Sequence, residues 1–563
     1  MAYKRLGDML IGVGLLTEEQ LSSALNEQKK SGKKLGAILL EGGYIKQKQL
    51  FDALERQLGV DFVDLTAVTP PAELARVLPR AIAKKHHIVP VRGDTTTLYI
   101  AMDDPLNFVA VEAAKAATRR KIIPMLATSE GVDRTIANLY GSEGAEKALQ
   151  DLQSETADAG FQSVVSANVI GADNENAAPT IRLVNSILEY AVNQNASDIH
   201  LEPREYEMVV RMRIDGVLRK AFTVPKGTQN AVIARIKVMG NMDIAEHKIP
   251  LDGRSNIRIG ERDIDLRIST LPTVYGEKTV IRLLYKTSSL LSTKGIGLTG
   301  KNLKKFESLL ENSNGVILIV GPTGSGKSSS MYTMIRQLNT DEVNLVTLED
   351  PVEYNLDGVN QVQINEKVDM TFANGLRSIL RQDPDIIAVG EIRDGETAQI
   401  AMRSAITGHL VLSTLHTNDA PSTLDRLLDM GVEPFLVSTA LKGVISQRLV
   451  RRICPNCRTE YAPSAEEQQM LHLPYSAGRR FYKGKGCPAC FNTGYRGRTA
   501  VFEILVVTGA IKRAIADNVP HSELMRIINE SGYEPLINDC VRLVEQGITT
   551  VSEAYRTVNS TDA

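Results

Sequence analysis

The 563-residue sequence predicts a multidomain α/β protein with a buried parallel sheet in its C-terminal half. Three observations predict it. The chain exceeds what one hydrophobic core can fill, so about three or four domains are expected. From about residue 291, apolar runs (GVILIV, NLVTLED, DIIAVGE, HLVLSTLH) alternate with helix-patterned segments such as MYTMIRQL and FANGLRSILRQ, as strands covered on both faces do. Between the first run and its helix stands GPTGSGKSS, a glycine-rich strand-to-helix loop.

Composition removes several classes. With 43% hydrophobic and 23% charged residues, the chain has the balance of an ordinary globular protein. A formal charge of -2 lacks the basic excess on which nucleic-acid binding draws, so no nucleic acid is expected as partner. No apolar run reaches about 18 residues, and MAYKRLGDML lacks a signal peptide's apolar core, so the expected location is cytoplasmic or peripheral to a membrane. Five cysteines are too few for a disulfide framework, and grouped ones point to metal.

Residues 1–140 form the first expected domain. It opens on a repeat, since sliding 5–28 over 34–57 gives nine identities in 24 pairs. Each copy has a basic-Leu-Gly start, a glycine turn and a leucine-faced helix closing on glutamine. Two copies suit either a small helical docking module or a ligand of twofold symmetry. Further on, VPVRGDTTTLYIAMDDP (89–105) reads as a hairpin turning at Gly93 and Asp94. Residues 141–175, polar and rich in Ser, Ala, Asp and Asn, read as a flexible linker. Residues 176–290 read as an α+β domain: an amphipathic helix enters a strand at SDIHLEP, and MVVRMRIDGVLRKAFTV turns at Asp215-Gly216. Residues 291–563 are the α/β domain.

The motif with the most specific chemistry is G-x-x-x-x-G-K-S. In Gly321, Thr323, Gly324, Ser325, Gly326, Lys327, Ser328 and Ser329 the backbone N–H groups can close on phosphates at the positive end of the following helix. Lys327 would reach the β/γ-phosphates of ATP and Ser328 would hold Mg²⁺. The bland alternative is a glycine-rich turn without a ligand. A P-loop ATPase also needs a carboxylate at a neighbouring strand end. DPDIIAVGEIRD offers Glu391 there, TLEDPVEY offers Glu349, Asp350 and Glu353, and GHLVLSTLHTND offers His409 and His416. CPNC (Cys454, Cys457) and CPAC (Cys487, Cys490), 29 residues apart, suit a closed tetrahedral, structural Zn²⁺ site on a protruding knuckle (454–490), with a redox dithiol as the alternative. Cys540 reads as core.

EDPVEY, GEIRD and STLHTN after GPTGSGKS resemble the acidic box, Walker B segment and histidine box of the secretion and pilus ATPase superfamily. SDIHLEP, RMRIDGVLR and IPLDGR resemble its second N-terminal domain. The resemblance implies a RecA-like P-loop ATPase domain, a ring of six subunits, and ATP held between the two linked domains. It gives Glu391 and a glutamate of the acidic box (Glu349, then Glu353) the task of polarising water, and adds His416. Arg267 and Arg282 match positions from which the second N-terminal domain reaches the phosphates; the alternative is two strand-surface arginines. Arg377 and Arg381 suit either a neighbouring subunit or a solvated face. Within the family, type IV pilus assembly fits best, with an inner-membrane platform protein as partner. Type II secretion is the nearest competitor, and a DNA-uptake or conjugation motor lies further off. A nucleotide-sensing adaptor without turnover is the different-class alternative. The repeat resembles the N-terminal domain by which some of these ATPases bind cyclic di-GMP: Arg5, Leu6, Gly7, Leu10 and Gln28 match its first half, and Leu35, Gly36, Leu39, Leu54 and Gln57 its second. Lys34 replaces the second arginine, which leaves a bidentate phosphate contact open there.

Overall fold

A computed structural model of the chain describes residues 178–260, 262–285, 291–487 and 490–559, most of 60–140, the pair 169–170, and positions scattered between 10 and 45. The chain separates into two compact units, Met1–Leu283 and Leu284–Ala563.

In the first unit, Thr17 and Gln20 cap the helix Glu18–Ser31 reciprocally, each backbone N–H donating to the other's side chain (2.9 and 3.2 Å). Leu10 and Leu39, equivalent in the two repeat copies, are both fully buried in one apolar cluster with Leu16, Ala24, Ile38 and Ile45. Gln28 and Leu35 are partly buried. Arg5, Leu6, Gly7, Lys34, Gly36, Leu54 and Gln57 lie outside the described residues.

The expected hairpin is present as antiparallel strands Ile88–Gly93 and Thr97–Met102. Its turn is closed by Asp94 Oδ1, which accepts the amides of Thr96 and Thr97 at 2.7 and 2.9 Å. The helix Phe108–Thr118, capped by Asn107, then crosses to the parallel strand Lys121–Leu126. His87 caps a preceding helix in the left-handed region (φ 54°). Its hydrogen bonds to Asp103 and Asp133 raise its pKa to about 9. The stabilisation from His87 is therefore complete below the usual imidazole value near 6.5 and disappears as pH rises through about 9. Melting curves of wild type and His87→Gln should accordingly differ at pH 6 and converge by about pH 10; an equal gap at both pH values would refute the assignment.

The second sheet of this unit runs in the order Val169–Ile170, Leu251–Ile259, Arg262–Thr273, Gly276–Tyr285, Asp198–Pro203, Glu207–Ile214, Val217–Pro225. Val169–Ile170 falls inside the stretch read as linker and pairs in parallel with Arg258 and Ile259. The hairpin turns where the sequence indicates, with Asp215 and Gly216 both at positive φ (50° and 84°), the requirement of a two-residue type I′ connection. Helices Pro179–Asn193 and Gln229–Met239 pack against each other.

The second unit is built on a seven-stranded sheet in the order Asn360–Gln363, Leu345–Glu349, Ile386–Val389, Leu410–Leu415, Gly315–Val320, Leu441–Ile453, Tyr495–Val506. The first six are parallel and the last is antiparallel. All four apolar runs are strands here, buried at every position. Two apolar clusters cover the two faces, one including Val316, Leu318 and Val320, the other Ile317 and Ile319. Alternate residues of one strand thus serve opposite cores.

Candidate nucleotide site and metal centre

Parallel pairing aligns the C-terminal ends of four strands, with Val320 opposite Leu415, Val389 opposite Ser413 and Leu348 opposite Val389. In an open α/β sheet this is the edge where ligands bind. The P-loop leaves Val320 there and enters the helix Lys327–Leu338. Two of its glycines have no substitute. Gly321 sits at φ 143° and a Cβ would stand 2.4 Å from Gln447 O, while Gly326 sits at φ 91° with Gln447 Nε2 2.8 Å from its Cβ position. Gln447, on the strand Leu441–Ile453, is the brace behind the loop. Its Nε2 donates to Ser325 O (2.9 Å) and its Oε1 accepts from Ser330 Oγ (2.5 Å). Thr323, Gly324 and Ser328 are exposed on the loop's outer side, Ser329 is half-buried and Ser325 is buried.

Lys327 is buried, and its Nζ donates to Gly321 O (2.8 Å) and Pro322 O (3.2 Å) and lies 3.5 Å from His416 Nδ1. Burial lowers its pKa, partly offset by Glu391. The other ring nitrogen of His416 is 3.3 Å from Glu391 Oε2. His416 therefore stands between the P-loop lysine and the carboxylate after Ile386–Val389. Glu391 Oε1 also accepts from Arg393 Nε at 2.6 Å, and Arg393 Nη2 reaches Asp350 Oδ2 at 3.2 Å. Arg393 thus ties the acidic box to the Walker B segment. His409 lies at the opposite end of its strand, Nδ1 at 2.8 Å from Ser404 O, far from this edge.

The acidic box divides its labour. Glu349 is 3% exposed and takes hydrogen bonds from Tyr332 Oη, Thr347 Oγ1 (2.6 Å) and Gln361 Nε2 (3.0 Å). Burial, then the neighbouring Glu349, pushes the Tyr332 phenol well above its ordinary pKa, so it stays a donor. The Tyr332 oxygen in turn accepts the Glu353 and Tyr354 amides. Glu353 is half-buried. Arg267 and Arg282 lie on strands Arg262–Thr273 and Gly276–Tyr285 of the first unit. Arg282 Nε donates to the buried Asp198 (3.1 Å), and its side chain is 60% exposed. Arg377 pairs with Glu396, and Arg381 donates to Arg377 O (2.9 Å).

The four cysteines converge, with all sulfurs within 4.8 Å of one another. Cys454–Cys487 and Cys457–Cys490 are 3.8 Å apart and Cys487–Cys490 is 3.7 Å. A tetrahedral site with metal–sulfur bonds of about 2.3 Å has sulfur–sulfur edges of about 3.8 Å, so the donor set fits Zn²⁺. Burial works against the Cys490 thiolate, but hydrogen bonds from the Cys487 and Gly494 amides and from the Cys487 and Cys457 thiols together outweigh it and bring the thiol down to about 7. Burial pushes Cys457 up to about 12. Zinc needs thiolates, so binding releases protons and weakens as pH falls. Zinc measured by mass spectrometry in chelator should stay bound near about pH 8 and be lost near about pH 5, with the melting temperature falling alongside. Unchanged stability after zinc loss would remove the structural role. Cys540 is fully buried in the core of the C-terminal helices.

Residues 173–556 match the family described as type II/IV secretion system protein, and residues 58–146 match the MshEN domain. The type IV pilus assembly ATPase PilB of Thermus thermophilus is 41% identical over 587 residues, spanning 98% of this chain and 65% of that protein. PilB of Myxococcus xanthus is 38% identical over 563 residues and 98% of each chain. The type II secretion system protein E of Dickeya dadantii is 42% identical over 488 residues, 86% of this chain and 97% of that one. Among solved structures, the Legionella pneumophila ATPase DotB superposes with a TM-score of 0.51 at 21% identity, covering 70% of this chain and 99% of its own.

Proposed function

The chain belongs to the type II/IV secretion ATPase family, and we propose that it is a hexameric, Mg²⁺-dependent ATP-hydrolysing motor that drives type IV pilus assembly. The single observation that carries the catalytic reading is His416 standing between Lys327 Nζ (3.5 Å) and Glu391 Oε2 (3.3 Å) at the sheet edge where the P-loop opens. In this reading the backbone N–H groups of residues 323–327 and the helix N-terminus receive the phosphates. Lys327 exchanges the carbonyls of Gly321 and Pro322 for phosphate oxygens, and Ser328 holds Mg²⁺. Glu391, steadied by Arg393 and His416, polarises the attacking water. Glu349 has its oxygens engaged by three donors, so it anchors the acidic box through Tyr332 while Glu353 assists Glu391. Arg267 and Arg282 supply positive charge to the γ-phosphate. Asp198 accepts from Arg282 Nε, and the Arg282 side chain is 60% exposed, which suits that task.

The N-terminal repeat is the receptor for cyclic di-GMP in this reading. Arg5 and Lys34 meet the phosphates, Gly7 and Gly36 allow close backbone approach, and Leu6, Leu35, Leu54, Gln28 and Gln57 line the two halves. Leu10 and Leu39 form the core beneath. The MshEN match at 58–146 adjoins this repeat. Absence of binding heat with micromolar cyclic di-GMP, or unchanged affinity in Arg5→Ala, would discard the receptor.

The motor works from the cytoplasmic side on an inner-membrane platform protein. Among the described residues no helix is long and apolar enough to cross a membrane. Deletion in the native host tests which machine it drives. Loss of surface pili with normal protein export supports pilus assembly, and the reverse outcome assigns type II secretion.

A further inference from the structure

We propose that Glu503 is a positioning residue that fixes the loop carrying His416 and couples it to the C-terminal helices. The inference rests on the reading that His416 belongs to the ATP site. Glu503 lies on the antiparallel strand Tyr495–Val506 and is 3% exposed. Its Oε1 accepts the Ala420 N–H at 2.7 Å, its Oε2 accepts the Leu536 N–H at 2.8 Å, and the Tyr533 hydroxyl also donates to it. Ala420 is four residues beyond His416. Leu536 opens the helix Leu536–Glu545, and Tyr533 precedes it. One buried carboxylate therefore joins two segments that share no covalent route shorter than 100 residues.

A second brace holds the same loop. Arg448, 5% exposed, donates from Nη2 to Asn418 O at 3.0 Å. It follows Gln447, which braces the P-loop, so neighbouring residues of one strand hold the P-loop and the His416 loop. Glu503 stands opposite Ser446 on the paired strand, on the face that Arg448 shares. A cavity of about 520 Å³, lined by Asp419, Arg448, Glu503, Tyr533 and Leu536, adjoins these braces. A glutamate suits the joint because both its oxygens accept, one from each segment; glutamine would turn an N–H₂ group toward one amide.

The test is a double-mutant cycle in the full-length chain with Glu503→Gln, His416→Ala and both together. ATP turnover, KM for ATP, affinity for a non-hydrolysable ATP analogue and melting temperature are measured for each. Glu503→Gln is expected to lower kcat about tenfold with analogue affinity within about twofold, and to cost nothing further in the His416→Ala background. A full additional tenfold loss in that background, or an unchanged kcat in Glu503→Gln alone, overturns the coupling. If Glu503→Gln does not fold, Arg448→Lys replaces it in the same cycle with the same two outcomes. His416→Ala turning over at the wild-type rate overturns both the coupling and the assignment of His416 to the site; a slow His416→Ala with an additive cycle overturns the coupling alone.

Discussion

Lys327→Ala is expected to abolish ATP turnover and to weaken nucleotide binding. Lys327 is buried at the mouth of the P-loop, where burial lowers its pKa. A buried ammonium is costly unless an anion or several acceptors meet it. Here it meets two loop carbonyls and His416, acceptors that phosphate oxygens can replace. Each charge-assisted hydrogen bond lost from the bound phosphates costs about 1.5–3 kcal/mol, or about 10- to 150-fold in affinity. Loss of charge stabilisation in the transition state adds about 10²–10³ in kcat. Calorimetry with an ATP analogue and a phosphate-release assay would check both parts. Parental hydrolysis would show that the P-loop is not the working site.

Glu391→Gln separates binding from chemistry. Its carboxylate contacts Arg393 and His416 rather than the P-loop backbone, so nucleotide affinity should remain within about threefold, because no contact made equally in ground and transition states is lost. In the proposed role of polarising water, its loss should lower kcat by about 10²–10⁴. Equal losses in affinity and kcat would make Glu391 a binding residue, and an unchanged kcat would move the base to Glu353.

What was legible in the sequence was local. GVILIV and its three companions are continuous apolar runs, and continuous burial is their condition in the sheet. The turns at Asp94 and Asp215-Gly216 and the two Cys-x-x-Cys pairs carry their geometry within a few residues. Strands Leu441–Ile453 and Tyr495–Val506 were not legible. Their apolar pattern is interrupted by Gln447, Arg448 and Glu503, all buried, whose partners are Ser325, Asn418 and Ala420. Those partners are 122, 30 and 83 residues away, and no short-range spacing records them. The ranking of the carboxylates was hidden for the same reason. Glu349 and Glu391 both follow apolar strand residues, and it is the donors Tyr332, Thr347 and Gln361 that reveal Glu349 to be engaged. His409 and His416 bracket a single strand, so parallel pairing alone decides which of them reaches the phosphate edge.

The most direct measurement is phosphate release from MgATP by the purified full-length chain, followed with time and protein concentration. A linear release far exceeding one phosphate per chain, stopped by removing Mg²⁺, is the expected result for a hydrolysing motor. Stoichiometric nucleotide binding without turnover would contradict it, and would make the chain a nucleotide-sensing adaptor whose carboxylates are idle.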